Sequence, residues 1–324
     1  MMRRAARTAA LCVAAACSLL ALPASAQDYP AKPVRVILTY APGGPTDFIT
    51  RLVCDRLQQK LGQPFVVESR AGANLRIGTE IIAKAAPDGY TIGVVGLPHA
   101  TNPALFALPY DTARDFTGIA HLVDAPLALS VPAASPAKSV ADLIAMAKAK
   151  PGTLTLATAG AGTGPHLAAE LLFLDAGATF QHIPYKGDAP AVAEAIGDRV
   201  DATMNTLQGV IPHIRGGKLR GLGVGTRERM PAVPDVPTLV EQGYPEFVVS
   251  TWIGMIAPAG MPRDMVAKLN REINAAYALP EVREKIATAG MVPVGGTAEQ
   301  FDALIRSDMA RWARVIKARA IKGD

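Results

Sequence analysis

The chain has 324 residues, 50% of them hydrophobic and 19% charged, a composition that excludes a disordered or collagen-like chain and suffices for a sizeable core. The formal net charge is +5, but Arg3, Arg4 and Arg7 crowd the first residues, and without them the 33 Lys+Arg and 28 Asp+Glu nearly balance. Nothing in that balance calls for nucleic acid as a partner.

Residues 1–26 read as a signal peptide. Three arginines precede a run of apolar and small residues over 9–22, and Ala24-Ser25-Ala26 before Gln27 matches a signal-peptidase site. The run is too short for a permanent membrane span, so general secretion with cleavage after Ala26 is expected. Cleavage removes Cys12 and Cys17 and leaves Cys54, which excludes an intrachain disulfide in the mature chain. The remaining length exceeds one comfortable core and predicts two domains.

The apolar β-branched run Val34–Leu38 predicts a buried strand, and Ile49, Leu52, Val53, Leu57 and Leu61 fall on one face of a helix that Gly62 stops. Between them lies the turn APGGPTD. Gly43 and Gly44 allow close backbone approach, Pro45 fixes the first helical φ, and Thr46 or Asp47 can cap the first turn. Amides of such a turn, with the helix dipole, favour an anion above the strand's carboxyl end. A strand over 65–68, the loop SRAGANLRIG, a helix over 79–86 and a strand over 91–95 follow. Asn102-Pro103 opens an irregular section, and two apolar runs, 118–123 and 127–131, come next, the second read as the crossing into another domain.

A second series of strand–helix units then begins. Ser139 and Asp142 resemble a capping box before the helix 140–150, and the strand 153–158 leads through AGAGTGPH into a helix over 167–175. A strand at 180–184 precedes YKGDAP and the helix 191–196, and the strand 199–204 runs into NTLQGVIPHI. After the strand 219–224, a proline-rich stretch and the aromatic run 247–254 return the chain to the first domain, which helices over 262–277, 281–289 and 298–320 complete. Thr297 and Gln300 are placed as a capping box. The alternation predicts an α/β fold with doubly wound sheets.

Two glycine turns in two successive α/β domains suggest anion sites facing each other across a cleft. Neither turn is a nucleotide motif: the first lacks the G-x-G-x-x-G spacing, and the second has Pro165 at the third glycine position. The five histidines, His99, His121, His166, His182 and His213, show no metal-ligand spacing, and there is no nucleophile elbow. Neither metal nor cofactor is expected. A hydrolase would need Asp47, His166 and Thr163 to converge, which the sequence alone leaves open.

The ordered segments YPAKPVRVI, APGGPTD, VVESRAG, APDGYT, NPALFALPYDTARDF, GTGPHLAAELL, HIPYKGDAPAVAEAIGDRVDA, HIRGGKLRGLGV, VPDVPTLVEQG and WIGMIAPAGMP together resemble the solute receptors of tripartite tricarboxylate transporters, the Bug family. The resemblance spans essentially the whole mature chain. It implies a two-lobed periplasmic-binding-protein fold, type II-like, with each lobe a doubly wound sheet and two interlobe crossings. Lobe 1 would comprise 27–125 with 251–324, and lobe 2 would comprise 126–250.

The same resemblance implies a non-catalytic receptor, working as a monomer, that captures a small organic carboxylate or amino acid for membrane permease subunits. A sensory receptor of the same fold, handing its state to a sensor protein, is the alternative, and a secreted hydrolase the more remote one. By resemblance, the carboxylate site uses Pro42, Gly43, Gly44, Pro45, Thr46 and Asp47 on one lobe, with Phe48 beside them. Ala159, Gly160, Gly162, Thr163 and His166 would face them from the other lobe, bridged in part by ordered water. Tyr185, Lys186, Gly187, Asp188 and the segment from Asn205 would discriminate among solutes. This chain departs from the family pattern at Asn74, Leu75 and Arg76, at Asn205 and at Asp188, and Arg76 is the candidate partner of Asp188 across the cleft.

Overall fold

The computed structural model describes residues 29–245 and 247–323, so the leader with its cleavage site lies outside the described residues. Strand β1 (Val34–Leu38) exposes only Arg35 in part and lies parallel between β2 (Phe65–Ser69) and β3 (Thr91–Gly96). Helix α1 (Pro45–Leu61) begins on Pro45 and ends at Gly62, whose φ of 72° turns its amide back to Gln58 O, as the sequence predicts. Helix α2 (Arg76–Ala83) starts three residues earlier than the periodicity suggests. The reason is a left-handed turn of three non-glycine residues, Ala73, Asn74 and Leu75, that leads straight into it.

Helix α3 (Pro98–Leu105), with Pro103 inside it, follows β3 and runs into the section expected to be irregular from Asn102. Proline removes the amide that would bond the carbonyl of His99, and the Thr112 hydroxyl approaches that carbonyl instead at 3.4 Å. The two apolar runs that follow are one strand, β4 (Phe116–Pro132), of 17 residues.

The second half builds α4 (Val140–Ala149), β5 (Thr155–Thr158), α5 (Gly164–Asp175), β6 (Gln181–Pro184), α6 (Asp188–Ile196), β7 (Ala202–Thr206), α7 (Leu207–Arg215) and β8 (Leu219–Val224). Ser139 accepts the Asp142 amide at 3.1 Å, as its capping pattern predicts. Strand β9 (Ser250–Pro258) returns the chain, and α8 (Arg263–Tyr277), α9 (Pro280–Thr288), β10 (Val292–Gly295) and α10 (Ala298–Ala318) complete it. The Thr297 and Gln300 capping box that starts α10 is present in both its bonds. The short strand β10, not among the expected elements, pairs with β4.

The strand order is β2-β1-β3-β9-β4-β7-β5-β6, with β8 and β10 also paired to β4. The first portion of β4 pairs antiparallel with β9 from Phe116↔Pro258 to Pro126↔Ser250, and the rest pairs antiparallel with β7 and β8. Directions follow from these pairings. β1 is parallel to β3, and β3 and β4 are both antiparallel to β9, so β1 runs in the sense of β4. β5 is parallel to β7, which is antiparallel to β4, so β5 runs against it. The carboxyl ends of β1 and β5 therefore converge on the middle of β4, where ligands bind in open α/β sheets. Helix α10 packs along β4, and the absence of a side chain at Gly254 lets the Phe301 ring lie where a Cβ would sit, 2.0 Å from its atoms.

Fully buried His99 packs edge-on against Phe116 with ring centroids 4.8 Å apart, and neither ring nitrogen has a partner. Burial pushes its pKa down to about 3. Because the folded pKa lies below the unfolded value, the unfolded chain takes the proton first and stability falls as pH drops below the unfolded pKa of about 6.5. Between pH 7 and pH 5 this single group is expected to cost about 2 kcal/mol of stability. Urea unfolding of the parent and of His99→Leu at both pH values checks it: the parent should lose that much more than the variant, and equal losses would refute the assignment.

Candidate functional site

Strand β1 ends in the turn that opens α1, and β5 ends in the turn that opens α5. Both line one cavity of about 340 Å³. The first turn contributes Ala41, Pro45 and Thr46, and the second contributes Ala159, Thr163, Gly164 and Pro165. Tyr40, Leu75, Thr206 and Thr251 form apolar and hydroxyl-bearing walls, and Gly187 and Asp188 close one side. A more open space of about 640 Å³ adjoins it through Tyr40, Pro45, Thr46, Asp188 and Thr206, and adds Pro42, Gly44, Lys186 and His213.

Backbone donors decide what this cavity can hold. The sequence points to the glycine amides, but both are already used inside the protein. Gly43 N donates to Asp47 Oδ2 at 2.9 Å, and Gly162 N donates to His166 Nδ1 at 3.0 Å, in each case to the side chain four residues on. Asp47 therefore holds the turn together instead of capping the helix in the expected way: the N-cap is Gly44, with no side-chain cap. The glycines remain necessary for their backbone, with φ of 85° at Gly43 and 70° at Gly162, where a Cβ would also meet Leu105 Cδ1 at 2.4 Å. The donors left on residues that line the cavity are first-turn amides with no intrahelical acceptor, those of Thr46 on α1 and Gly164 on α5. Two helix N-termini thus open onto one cavity, an arrangement that accepts an anion without any formal cation.

The second turn is braced from behind. With Nδ1 of His166 accepting from Gly162, its proton resides on Nε2, which faces Glu170 Oε1 at 3.5 Å. Glu170 also pairs with Arg319, just beyond α10, at 2.7 Å. Burial opposes the charge on Glu170, yet His166 and Arg319 together hold its pKa below the usual carboxylate range. The His166 ring stacks on His182 at 3.7 Å and 7°, and burial together with His166 pushes the pKa of His182 down to about 3. His182 Nε2 in turn meets the Thr158 hydroxyl at 2.7 Å, beneath the turn.

Several expected site residues stand elsewhere. Phe48 is 38% exposed and outside the cavity lining. Gly160 serves the turn itself, its carbonyl accepting the Thr163 hydroxyl at 2.7 Å, and Tyr185 extends the β5–β6 ladder through its amide to Thr158 O. Asn205 is fully buried with its amide nitrogen on the Thr203 hydroxyl. Strand alternation turns Thr206 toward the cavity instead. Arg76 does not reach the cleft: its guanidinium lies 3.9 Å over the Phe106 ring, and Nε donates to Ala73 O at 2.7 Å. Asp47, His166 and Thr163 form no hydrolytic triad, because Asp47 binds Gly43 and Arg51 while His166 binds Gly162 and Glu170. Of the three loop residues at which the chain departs from the family pattern, Asn74 and Leu75 line the cavity and Arg76 does not; Tyr40, which also lines it, was missed because no motif marks it.

Asp188, the first residue of α6, is the one carboxylate lining the cavity. Its Oδ2 accepts the Thr206 hydroxyl at 2.6 Å. Burial raises its pKa, and Thr206 partly offsets the rise. Tyr40 beside it is raised too, by burial and then by the Asp188 charge.

The family model of the tripartite tricarboxylate transporter family receptor matches residues 49–321. Protein BugT of Bordetella pertussis is 39% identical over 306 residues, 94% of each chain. Among solved structures, R. palustris Rpa4515 with adipate superposes with a TM-score of 0.82 at 32% identity, covering 91% of this chain and 99% of that one. MatC from Rhodopseudomonas palustris with bound malate does so at 0.78 and 31%, covering 89% and 100%.

Removing the His166 brace leaves the buried Gly162 amide unsatisfied, which typically costs about 1–3 kcal/mol. His166→Leu is expected to lose stability of that order in urea unfolding, and Asp47→Ala less, because the Gly43 amide is exposed and passes to water. A 15N-detected ring spectrum at neutral pH should show His166 protonated on Nε2 alone. Observing the other tautomer would remove the brace on the second turn.

Proposed function

We propose, since this chain belongs to the tripartite tricarboxylate transporter receptor family, that it captures a small carboxylate-bearing solute in the periplasm and presents it to membrane permease subunits without transforming it. The observation that carries this reading is the pair of facing helix N-termini on one cavity of about 340 Å³. That volume suits a solute of a few to about ten heavy atoms, and the free first-turn amides match the two oxygens of a carboxylate. The named solutes of two relatives, adipate and malate, are of that class.

The lobes on this reading are 27–125 with 251–324 and 126–250. In support of this division, β4 exchanges β9 for β7 as its partner between Pro126 and Leu127, one residue from the proposed boundary. Donors on both lobes are satisfied together only when the lobes close on the ligand, so binding favours the compact state.

A thermal-shift screen with malate, adipate, succinate, glutamate and aromatic monocarboxylates tests capture. A ligand at a hundred times its dissociation constant should stabilise the protein by about 2.7 kcal/mol, a rise of a few degrees. No shift with any small carboxylate at millimolar concentration would defeat the reading. Closure has its own check in small-angle scattering, where a saturating ligand should reduce the radius of gyration; an unchanged value with a tightly bound ligand would count against it.

A further inference from the structure

We propose that the solute carries a cationic group as well as its carboxylate, and that this cation pairs with Asp188. The inference rests on carboxylate capture at the same cavity and adds the chemical class of the other end of the ligand. Asp188 lines both the inner cavity and the adjoining outer space, so a bound molecule must pass or touch it. Its one side-chain partner among the described residues is the neutral Thr206 hydroxyl. The inner cavity has no lysine, arginine or histidine in its lining. Lys186, two residues before, is exposed and lines only the outer space.

Arg76 was the other available counter-charge, and its side chain is committed to Phe106 and to the Ala73 carbonyl. The turn that precedes it is clamped as well: Asn74 Nδ2 donates to Asn102 Oδ1 at 2.8 Å, and Asn102 Nδ2 donates to Asn74 O at 2.7 Å. A cation from this loop is therefore unavailable without breaking both attachments.

A carboxylate facing a largely apolar cavity must gain a cation or a proton once a ligand excludes water. A second ligand carboxylate at this end would meet a like charge, so simple diacids extending to Asp188 are disfavoured. An ammonium or quaternary ammonium group satisfies Asp188 while the carboxylate lies on the amides of α1 and α5. The ligand is thus a zwitterion, of amino-acid or betaine type, with its charges disposed along the cavity.

Matched pairs that differ only in the cationic group test this. Dissociation constants by calorimetry would be compared for glutarate and glutamate, succinate and aspartate, butyrate and 4-aminobutyrate, and 3,3-dimethylbutyrate and glycine betaine, on the parent and on Asp188→Asn. In the parent at least one cation-bearing member should bind tenfold or more tightly than its partner, and in Asp188→Asn that preference should vanish or invert. Simple acids binding as tightly as their partners, or a preference that survives in Asp188→Asn, would overturn the proposal. If no panel member binds the parent, the thermal-shift screen decides carboxylate capture, and Asp188 is probed alone by its 13C carboxyl resonance during titration with methylammonium chloride. A shift absent with sodium chloride at equal ionic strength would support a cation site; no shift would end it.

Discussion

The antiparallel ladder between β4 and β9 is the constraint on which the rest of the molecule depends. One strand of 17 residues carries β9 on its first portion and β7 with β8 on its second, so the two sheets share a backbone and cannot choose their directions independently. Register in such a buried ladder is strongly fixed, because a slip of one residue would turn every core side chain to the other face. The opposed senses of β1 and β5 are a consequence, and with them the meeting of two strand ends at the middle of β4. Facing helix N-termini are thus set by topology before any side chain in the cavity is chosen. Closure of the proposed lobes would then amount to bending this ladder near Pro126 and Ser250, where the pairing changes hands.

Each strand end faces the same difficulty, since a glycine turn that presents amides to a ligand also has amides pointing where no ligand will lie. Both turns resolve it with the side chain four residues on, an aspartate in one and an imidazole in the other. A turn held this way keeps its first helical amides aimed without depending on the ligand, which reduces the ordering cost of binding. The imidazole solution differs in one respect. It works only while Nδ1 is unprotonated, and Glu170 with Arg319 behind it keeps the proton on the far nitrogen. The tail of the chain is thereby connected to a turn about 150 residues earlier in sequence through three side chains.

Much of this was legible in the sequence. The strand–turn–helix units, the capping residues Ser139 and Thr297, the stop at Gly62 and both glycine turns follow from local rules that tertiary packing did not need to override. Family resemblance supplied the two-lobed architecture. What could not be read depends on partners distant in sequence. Helix α3 runs through Pro103 with Thr112 approaching the freed carbonyl, and one strand looked like two because Asp124-Ala125-Pro126 interrupts its apolar run at the place where its partner changes. The amides of Gly43 and Gly162 were misassigned for a related reason. A periodicity of four between glycine and acceptor is visible in the sequence, but its direction, toward the turn and away from the ligand, is set by rotamers. Arg76 looked free for the cleft until Phe106 and the Ala73 carbonyl were found beside it.

Electrostatics of the cavity explain why so few formal charges are needed. A helix N-terminus acts as roughly half a positive charge, so α1 and α5 together approximate one unit opposite a carboxylate. These partial charges belong to backbone held by β1 and β5 and need no rotamer ordering, whereas a buried arginine would cost several kcal/mol in desolvation before any ligand arrived. Helix α6 is different, because Asp188 at its first turn already occupies its dipole. The cavity is therefore positive toward α1 and α5 and negative at Asp188, and the two poles lie on one continuous surface. A ligand whose own charges run the opposite way gains at both ends, while one with two anionic ends gains at one and loses at the other. For the proposed solute, shape would limit length and this polarity would limit sign pattern, the stronger filter once a bound molecule has displaced the water.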